Sequence, residues 1–171
     1  ATITISGGAA NLIFDKLTVN GCMERGPRVS TAFDLRACEN ITIKRCSINV
    51  NPEGDGMGFD YAGISSLGQD AIFYNLLIDS CTILGAQYGI ATDHPATGEN
   101  ELFYVRNNYI KSRHTCFYVM GGTHINDISY NMFTMDTDSR ESNSYLVQII
   151  GKTRMFPDTS WMVGNKFRFD V

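Results

Sequence analysis

The sequence predicts an all-β protein, a right-handed parallel β-helix of about six turns that forms one segment of a longer solenoid. Two observations lead to this prediction. A pattern of apolar residues recurs along the chain, and each copy alternates apolar and polar residues around a two-residue polar break, which is typical of strand, sharp turn and strand. Units of this size cannot bury their apolar face alone and must stack on their neighbours. The 171 residues fit a single domain, residues 1–171.

The repeats carry two columns of apolar residues, which we expect to point into a shared core. The first column is Phe14, Ile43, Ile78, Val105, Ile128 and Met162. The second column is Val19, Ile48, Ile83, Ile110, Phe133 and Phe167. The break position between the two columns holds Leu17, Cys46, Cys81, Asn108, Asn131 and Asn165. We expect the asparagines to form an inward ladder, because amides that bond one another and the turn backbone can be buried without loss.

A further apolar stretch follows most copies and is predicted to be the third strand of each unit. These stretches are Thr31–Leu35, Ala71–Phe73, Tyr88–Ala91, Cys116–Met120 and Tyr145–Ile150. The alternative is a β-sandwich, in which strands follow one another every ~8–12 residues with hairpin signals between them. No Asn-Gly or Asp-Gly hairpin joins consecutive copies, since Asn20-Gly21 and Asp55-Gly56 lie in long loops. The pattern therefore favours the β-helix.

Composition and charge exclude several classes of protein. The net charge of −4 and the pI near 5.3 argue against a nucleic-acid binder. No apolar run approaches the ~20 residues that a membrane span requires. No signal peptide is visible, and the chain begins within a strand, so we interpret it as a mature form or a piece of a larger protein. The five cysteines form neither a metal-binding spacing nor an even disulfide set, and we expect mostly buried thiols.

The segment Glu39-Asn-Ile-Thr-Ile-Lys-Arg-Cys-Ser-Ile48 and its copies resemble the coils of the pectate-lyase-like β-helix superfamily. That group includes polysaccharide lyases, glycoside hydrolases, and bacteriophage tailspikes and tail fibres. The resemblance covers nearly the whole chain. It implies a carbohydrate-recognising module of a tailspike-like surface assembly, extracellular or on a virion, with a polysaccharide as partner and a homotrimer as one form of assembly. The alternatives are a free-standing polysaccharide lyase or glycoside hydrolase, and a purely structural stalk.

Loop lengths predict a cleft between the second and the fifth copies. The connections Leu84–Gln87 and Lys111–Thr115 are short, whereas Asn49–Ser66 and Met135–Ser144 are long, so long loops flank short turns. The floor of this cleft would carry Gln87, Lys111, Arg113 and His114. Its walls would carry Glu53, Asp55 and Asp60 on one side and Asp136, Asp138, Arg140 and Glu141 on the other.

These residue types permit two kinds of chemistry. Acids that face each other across a groove can act as general acid and as base or nucleophile in glycoside hydrolysis, so the candidate catalytic residues are Asp55, Asp60, Asp136, Asp138 and His114. The same acids could instead hold calcium while a proton is abstracted from a uronic acid. Calcium is thus an optional ligand, and no cofactor is required. The competing interpretation is that these acids are simply solvated loop residues.

Substrate binding is assigned to the cleft floor and to a second edge. On the floor, Lys111 and Arg113 would contact an anionic glycan beside Gln87, and Tyr109 would lie on the rim. At the second edge, the pair Asp93-His94 resembles the Asp-His pair of pectate lyases, although the Arg-x-Pro-x-x-Arg segment of those enzymes is missing. Exposed aromatic rings can also stack on sugars, and the tyrosines considered are Tyr61, Tyr74, Tyr88, Tyr104, Tyr109, Tyr118 and Tyr130.

Overall fold

The described part of the chain is all-β and contains no helix. The structure is a computed structural model that describes residues 2–21, 31–50, 61–68, 72–94, 100–121, 123–136, 144–150 and 161–170. Every strand pairing in these ranges is parallel. Parallel neighbours require long connections, which explains why hairpin signals are missing between the copies.

The strands stack into three series, which we call ladders A, B and C. Ladder A contains β1 (Ile3–Ile5), β5 (Phe33–Leu35), β8 (Ala62–Leu67), the second halves of β10 (Thr82–His94) and β12 (Tyr109–Gly121), and β15 (Tyr145–Ile150). Ladder B contains β2 (Ala9–Ala10), β3 (Ile13–Asp15), β6 (Cys38–Lys44), β9 (Phe73–Asp79), β11 (Asn100–Arg106), β13 (Thr123–Ser129) and β16 (Trp161–Val163). Ladder C contains β4 (Thr18–Asn20), β7 (Ser47–Asn49), the first halves of β10 and β12, β14 (Met132–Asp136) and β17 (Lys166–Asp170).

Ladders A and C form one curled sheet of ten strands, and ladder B forms a second sheet of seven. The first sheet curls because β10 and β12 belong to both ladders. In β10 the change of direction coincides with register irregularities between Leu84 and Tyr88 and with a positive φ of 80° at Gly85. The chain thus runs from A to B to C and back to A.

Both predicted apolar columns are confirmed by the strand register. In ladder B, Ile43 pairs with Phe14 on one side and with Ile78 on the other, and the column continues to Met162. In ladder C, Ile110 pairs with Ile83 and Phe133, and this column runs from Val19 to Phe167. Their central members are fully buried. Slipping one strand by a residue would turn its apolar side chains outward, so burial sets this register.

The two-residue break between ladders B and C has the same conformation in every repeat. Its first residue has a positive φ of 53–68°, and these residues are Lys16, Arg45, Ser80, Asn107, Tyr130 and Gly164. Only the last is glycine, so five side-chain-bearing residues adopt the left-handed region at a cost of order 1 kcal/mol or more each. The second residue is buried in the four central repeats, as predicted for the break position, whereas Leu17 in the first repeat is 39% exposed.

The predicted asparagine ladder is confirmed. The Asn131 side chain accepts hydrogen bonds from the backbone N–H and the amide of Asn108, each at 3.0 Å, and donates to the Val105 carbonyl at 2.8 Å. Asn165 repeats the arrangement toward Asn131 and Ile128. The thiols of Cys46 and Cys81 lie 3.5 Å from the equivalent carbonyls of Phe14 and Ile43, so cysteine takes the place of asparagine in the earlier repeats.

The described cysteines are free and buried, as the sequence predicted. Burial raises the pKa of the Cys38 and Cys116 thiols to about 11 and that of Cys81 to about 12. Cys22 lies outside the described residues. The thiols therefore act as small apolar core residues with a weak donor.

One predicted third strand is wrong. The apolar pattern predicts it at Ala71–Phe73, but Ala71 lies outside the described residues, Phe73 begins a ladder B strand, and the third strand of that repeat is β8 (Ala62–Leu67). The apolar pattern misses β8 because Gly63, Ser65 and Ser66 interrupt it. Position 63 requires glycine, because a Cβ there would lie 2.4 Å from the Ile83 side chain and would clash with it. At this corner the interior has no space for a side chain.

Candidate functional site

The outer face of ladder A carries a second cluster of apolar side chains, separate from the main core. In β12, Phe117 and Val119 belong to the core, while Tyr118 between them belongs to this second cluster. The other members are Ala62, Tyr88 and Ala91, with Leu67 and Met120 packed at its margin. Tyr88 and Tyr118 retain only 8% and 5% of their exposure, so they form a nearly buried floor rather than a free surface.

An aromatic contact places His114 on this floor. The rings of Tyr88 and Tyr118 meet edge to face, with centroids 5.7 Å apart, and the His114 ring lies 5.0 Å from Tyr88. His114 Nδ1 is 2.9 Å from the Thr115 hydroxyl. The imidazole is half-buried and is supported by both neighbours, so its orientation is defined.

Tyr118 contributes a phenolic hydroxyl to the cluster. Burial raises the pKa of this phenol, and the negative charge of Asp93 raises it further. The hydroxyl lies 3.2 Å from the Met120 sulfur, a weak acceptor. Tyr118 therefore remains protonated at neutral and moderately alkaline pH and acts as a hydrogen-bond donor.

Polar side chains border the cluster. Gln87 is buried, and it directly precedes Tyr88, which pairs with Thr115 in the next repeat. Gln87 and His114 therefore occupy equivalent positions in adjacent repeats. Asp34, also nearly buried, lies in register with Ser65 and forms an ion pair of 2.8 Å with Arg36.

The structure separates the predicted cleft floor into two groups. Gln87 and His114 lie at the edge of ladder A, whereas Lys111 and Tyr109 lie on β12 before its bend, in ladder C. Lys111 Nζ is 3.2 Å from Asp170 Oδ2, so its charge is already paired within the chain. Arg113 is half-buried between the two groups.

Several predicted site residues cannot be placed side by side. Asp55, Asp60 and Asp138 lie outside the described residues, as do the wall residues Glu53, Arg140 and Glu141. Asp136 ends β14 in register with Asp170, and His94 ends β10 in register with Gly121. Asp93 precedes His94 on the ladder A strand. Its negative charge raises the pKa of Tyr118, which links the second edge to the cluster. The acid pairs across a cleft stay a prediction.

From the sequence, Tyr88 and Tyr118 are expected in third strands and among the tyrosines able to stack on sugars, but not as one buried cluster. The signal that marks them is a strand with large side chains on both faces, as in Phe117-Tyr118-Val119. No sequence signal marks Asp34, because a single acid between Phe33 and Leu35 resembles an ordinary solvated position. Its burial becomes visible only when the neighbouring strand is known.

The described residues were also searched for a metal site, and the chain was compared with known proteins. Within the ranges that the structure describes, His, Cys, Asp and Glu form no group of three suited to holding a metal ion. No described helix has the length and apolarity that crossing a membrane requires. Comparison with protein-family models, curated proteins and solved structures found no match to this chain.

Proposed function

We propose that the chain is a carbohydrate-recognising module of a tailspike- or tail-fibre-like surface assembly, built as a right-handed parallel β-helix. The three ladders support this architecture, because each strand pairs in parallel with its counterpart in the following repeat. Such a module would be extracellular or on a virion surface, and its partners would be a polysaccharide and further copies of the chain.

The observation that carries the proposed function is the basic segment at the bend of β12. Lys111, Arg113 and His114 are half-buried, and His114 is held by ring contact with Tyr88 and by the Thr115 hydroxyl. Cations attract the carboxylates of acidic sugars, and an oriented imidazole supplies both a ring face and a polar edge. An acidic polysaccharide is therefore the substrate class that this segment fits best.

Ordering before binding favours recognition at this segment. The His114 ring rests on the buried Tyr88–Tyr118 floor and is already ordered. Its side chain therefore loses little conformational entropy when a ligand binds. Arg113 supplies the cation nearest to that ring in sequence. Lys111 is engaged by Asp170 and contributes to the local potential rather than to a direct contact.

The test is a binding titration of the full chain with polygalacturonate, and with dextran as the neutral comparison. We expect Arg113→Ala and His114→Ala each to raise the Kd for polygalacturonate about tenfold, a change of about 1.4 kcal/mol. The control is Arg45→Ala, which removes an exposed arginine that pairs with Asp15 at a distant corner. Unchanged affinity in both test variants, with folding intact, would refute the proposal.

The same samples decide between binding alone and cleavage. A lyase would produce unsaturated uronates with ultraviolet absorbance, and a hydrolase would release reducing ends without that absorbance. Product on either channel that disappears in His114→Ala would assign this segment to an active site. Binding without product would leave a recognition module.

A further inference from the structure

A tyrosine occupies the strained position of one break between ladders B and C. Among the six left-handed break residues, Tyr130 alone is aromatic, and its φ of 56° is one that bulky side chains adopt rarely and at a cost. The side chain is 64% exposed, so burial does little to offset that cost. Strained residues cluster at binding sites, where the surrounding structure holds them in place. Tyr130 is therefore a candidate for ligand contact.

The Tyr130 ring is fixed against the following repeat. A Cβ at Gly164 would lie 2.5 Å from Tyr130 Cδ1 and 2.6 Å from its Cε1, so the ring occupies the space of the side chain that Gly164 lacks. The Tyr130 backbone N–H also donates to the Val163 carbonyl at 2.8 Å. One side of the ring is thus already covered by the chain itself, and the exposed part lies on the outside of the corner. The ring is a platform whose orientation is set before a ligand binds.

Polar groups continue the same corner in the two preceding repeats. Asn107 and Ser80 are exposed, and they hold the break positions one and two repeats before Tyr130. Asp79 Oδ1 accepts hydrogen bonds from Asn107 Nδ2 at 2.9 Å and from Ser80 Oγ at 3.1 Å. No described residue bonds to Asp79 Oδ2 or to Asn107 Oδ1. Both oxygens can therefore accept hydrogen bonds from a ligand.

These groups suit a neutral sugar chain. The two oxygens accept from sugar hydroxyls, and the negative charge of Asp79 disfavours sugar carboxylates. The C–H face of a pyranose buries apolar surface when it covers an aromatic ring. The nearby cation does not alter this preference, because Arg106 pairs with Asp127 at 2.6 Å and lies over the Tyr104 ring.

The row of break residues is straight, because each one lies next to its counterpart in the adjacent repeat. The Ser80 N–H donates to the Arg106 carbonyl, and the Asn107 N–H donates to the Ser129 carbonyl, each at 3.0 Å. Successive positions are therefore separated by the strand spacing of ~4.8 Å. A β-1,4-linked glucan is an extended ribbon that follows a straight row, whereas an α-1,4-linked glucan curves away from it.

We propose that the corner formed by Tyr130, Asn107, Ser80 and Asp79 binds a neutral, extended β-linked glycan. One sugar stacks on the Tyr130 ring, and the neighbouring sugar donates hydroxyl hydrogen bonds to Asn107 and Asp79. This corner lies at the start of the ladder C strands, whereas the basic segment lies at their end, at the bend of β12. The two sites share no residue, so the inference goes beyond the proposed acidic-polysaccharide site and does not depend on it.

The experiment is isothermal titration calorimetry of the full chain with cellohexaose, and with maltohexaose as the curved comparison. The test variant is Tyr130→Asn, because asparagine tolerates the left-handed region and already holds the equivalent position at Asn107. We expect this variant to raise the Kd for cellohexaose about tenfold, while its melting temperature stays unchanged or rises. Tyr130→Phe keeps the ring and should bind as the wild type does. The matched control is Tyr74→Asn, which removes a 43% exposed tyrosine outside the corner and should leave the Kd unchanged.

Three results would overturn the inference. The first is a wild type that does not bind cellohexaose, or that binds maltohexaose equally well. The second is a Tyr130→Asn variant with unchanged affinity. The third is a marked loss of stability in Tyr130→Asn, which would identify the ring as a structural cover for Gly164. Arg113→Ala and His114→Ala leave this corner intact, so failure of the proposed acidic-polysaccharide site would appear in the polygalacturonate titration alone.

Discussion

Replacing Asn131 by leucine tests whether the asparagine ladder stabilises the stack. Asn131 is 1% exposed and lies in the middle of the ladder. Its side chain bonds to the Asn108 backbone and amide, to the Val105 carbonyl and to the Asn165 amide. Leucine has a similar volume, so the substitution removes hydrogen bonds without leaving a large cavity.

The expected loss follows from the groups left behind. The Asn108 N–H and the Val105 carbonyl both lose a buried partner, and each costs about 1–3 kcal/mol, or about 2–6 kcal/mol together. Cysteine at the same position should cost less, because Cys46 and Cys81 show that a thiol can approach the equivalent carbonyl. The predicted order of stability is wild type, then Asn131→Cys, then Asn131→Leu.

Urea unfolding followed by circular dichroism measures this order, with the midpoint shifting and the slope unchanged. The control is Asn20→Leu, which removes the amide that accepts from Asn49 in an exposed pair and should change stability by no more than ~0.5 kcal/mol. If Asn131→Leu proved as stable as Asn20→Leu, the ladder would be a by-product of the fold and the reasoning would fail.

Two further predictions concern the core. Because burial raises the pKa of Cys38 and Cys116 to about 11 and of Cys81 to about 12, while unfolded thiols titrate near ~8.5, the unfolded state loses protons first. The free energy of unfolding should therefore fall above pH ~8.5, by up to about 1 kcal/mol per thiol per pH unit, as urea titrations between pH 7 and 10 would measure. At pH 8 iodoacetamide should modify these thiols only after unfolding, and rapid labelling of the native chain, mapped by mass spectrometry, would contradict their burial. Gly89→Ala should destabilise the chain by about 1–3 kcal/mol or more, because its Cβ would lie 2.3 Å from the Ile110 side chain and 2.4 Å from the Cys116 carbonyl; an unchanged melting temperature would show that this corner can relax.

The strand–turn–strand part of each repeat was predictable from the sequence, because alternation and burial act over a few residues. Phe14, Ile43 and Ile78 align in register as the apolar pattern predicts. The third strand was less predictable, since β8 contains small and polar residues where the fold allows no larger ones. The identity of Gly63 follows from the Ile83 side chain opposite it, which lies on another strand.

The candidate site was predictable only in its composition. Gln87 and His114 come to equivalent positions, because each directly precedes one residue of the pair Tyr88 and Thr115 in adjacent repeats. The pairing of Lys111 with Asp170 depends on a contact across two repeats that no local pattern contains. The support of His114 by Tyr88 depends in turn on the bend of two long strands. The positions of the site side chains therefore depend on the bends between strands and on contacts between repeats, which the repeat pattern does not predict.

The uniform break between ladders B and C has a consequence for how the chain can vary in length. The break consists of one left-handed residue followed by one inward residue. An extra residue inserted there would turn the ladder amide outward, so the break does not tolerate an insertion. Insertions and deletions are thereby confined to the other two corners. A loop exchanged at those corners would keep the phase of every strand, so the connections beside His114 could be redesigned for a new ligand without repacking the core.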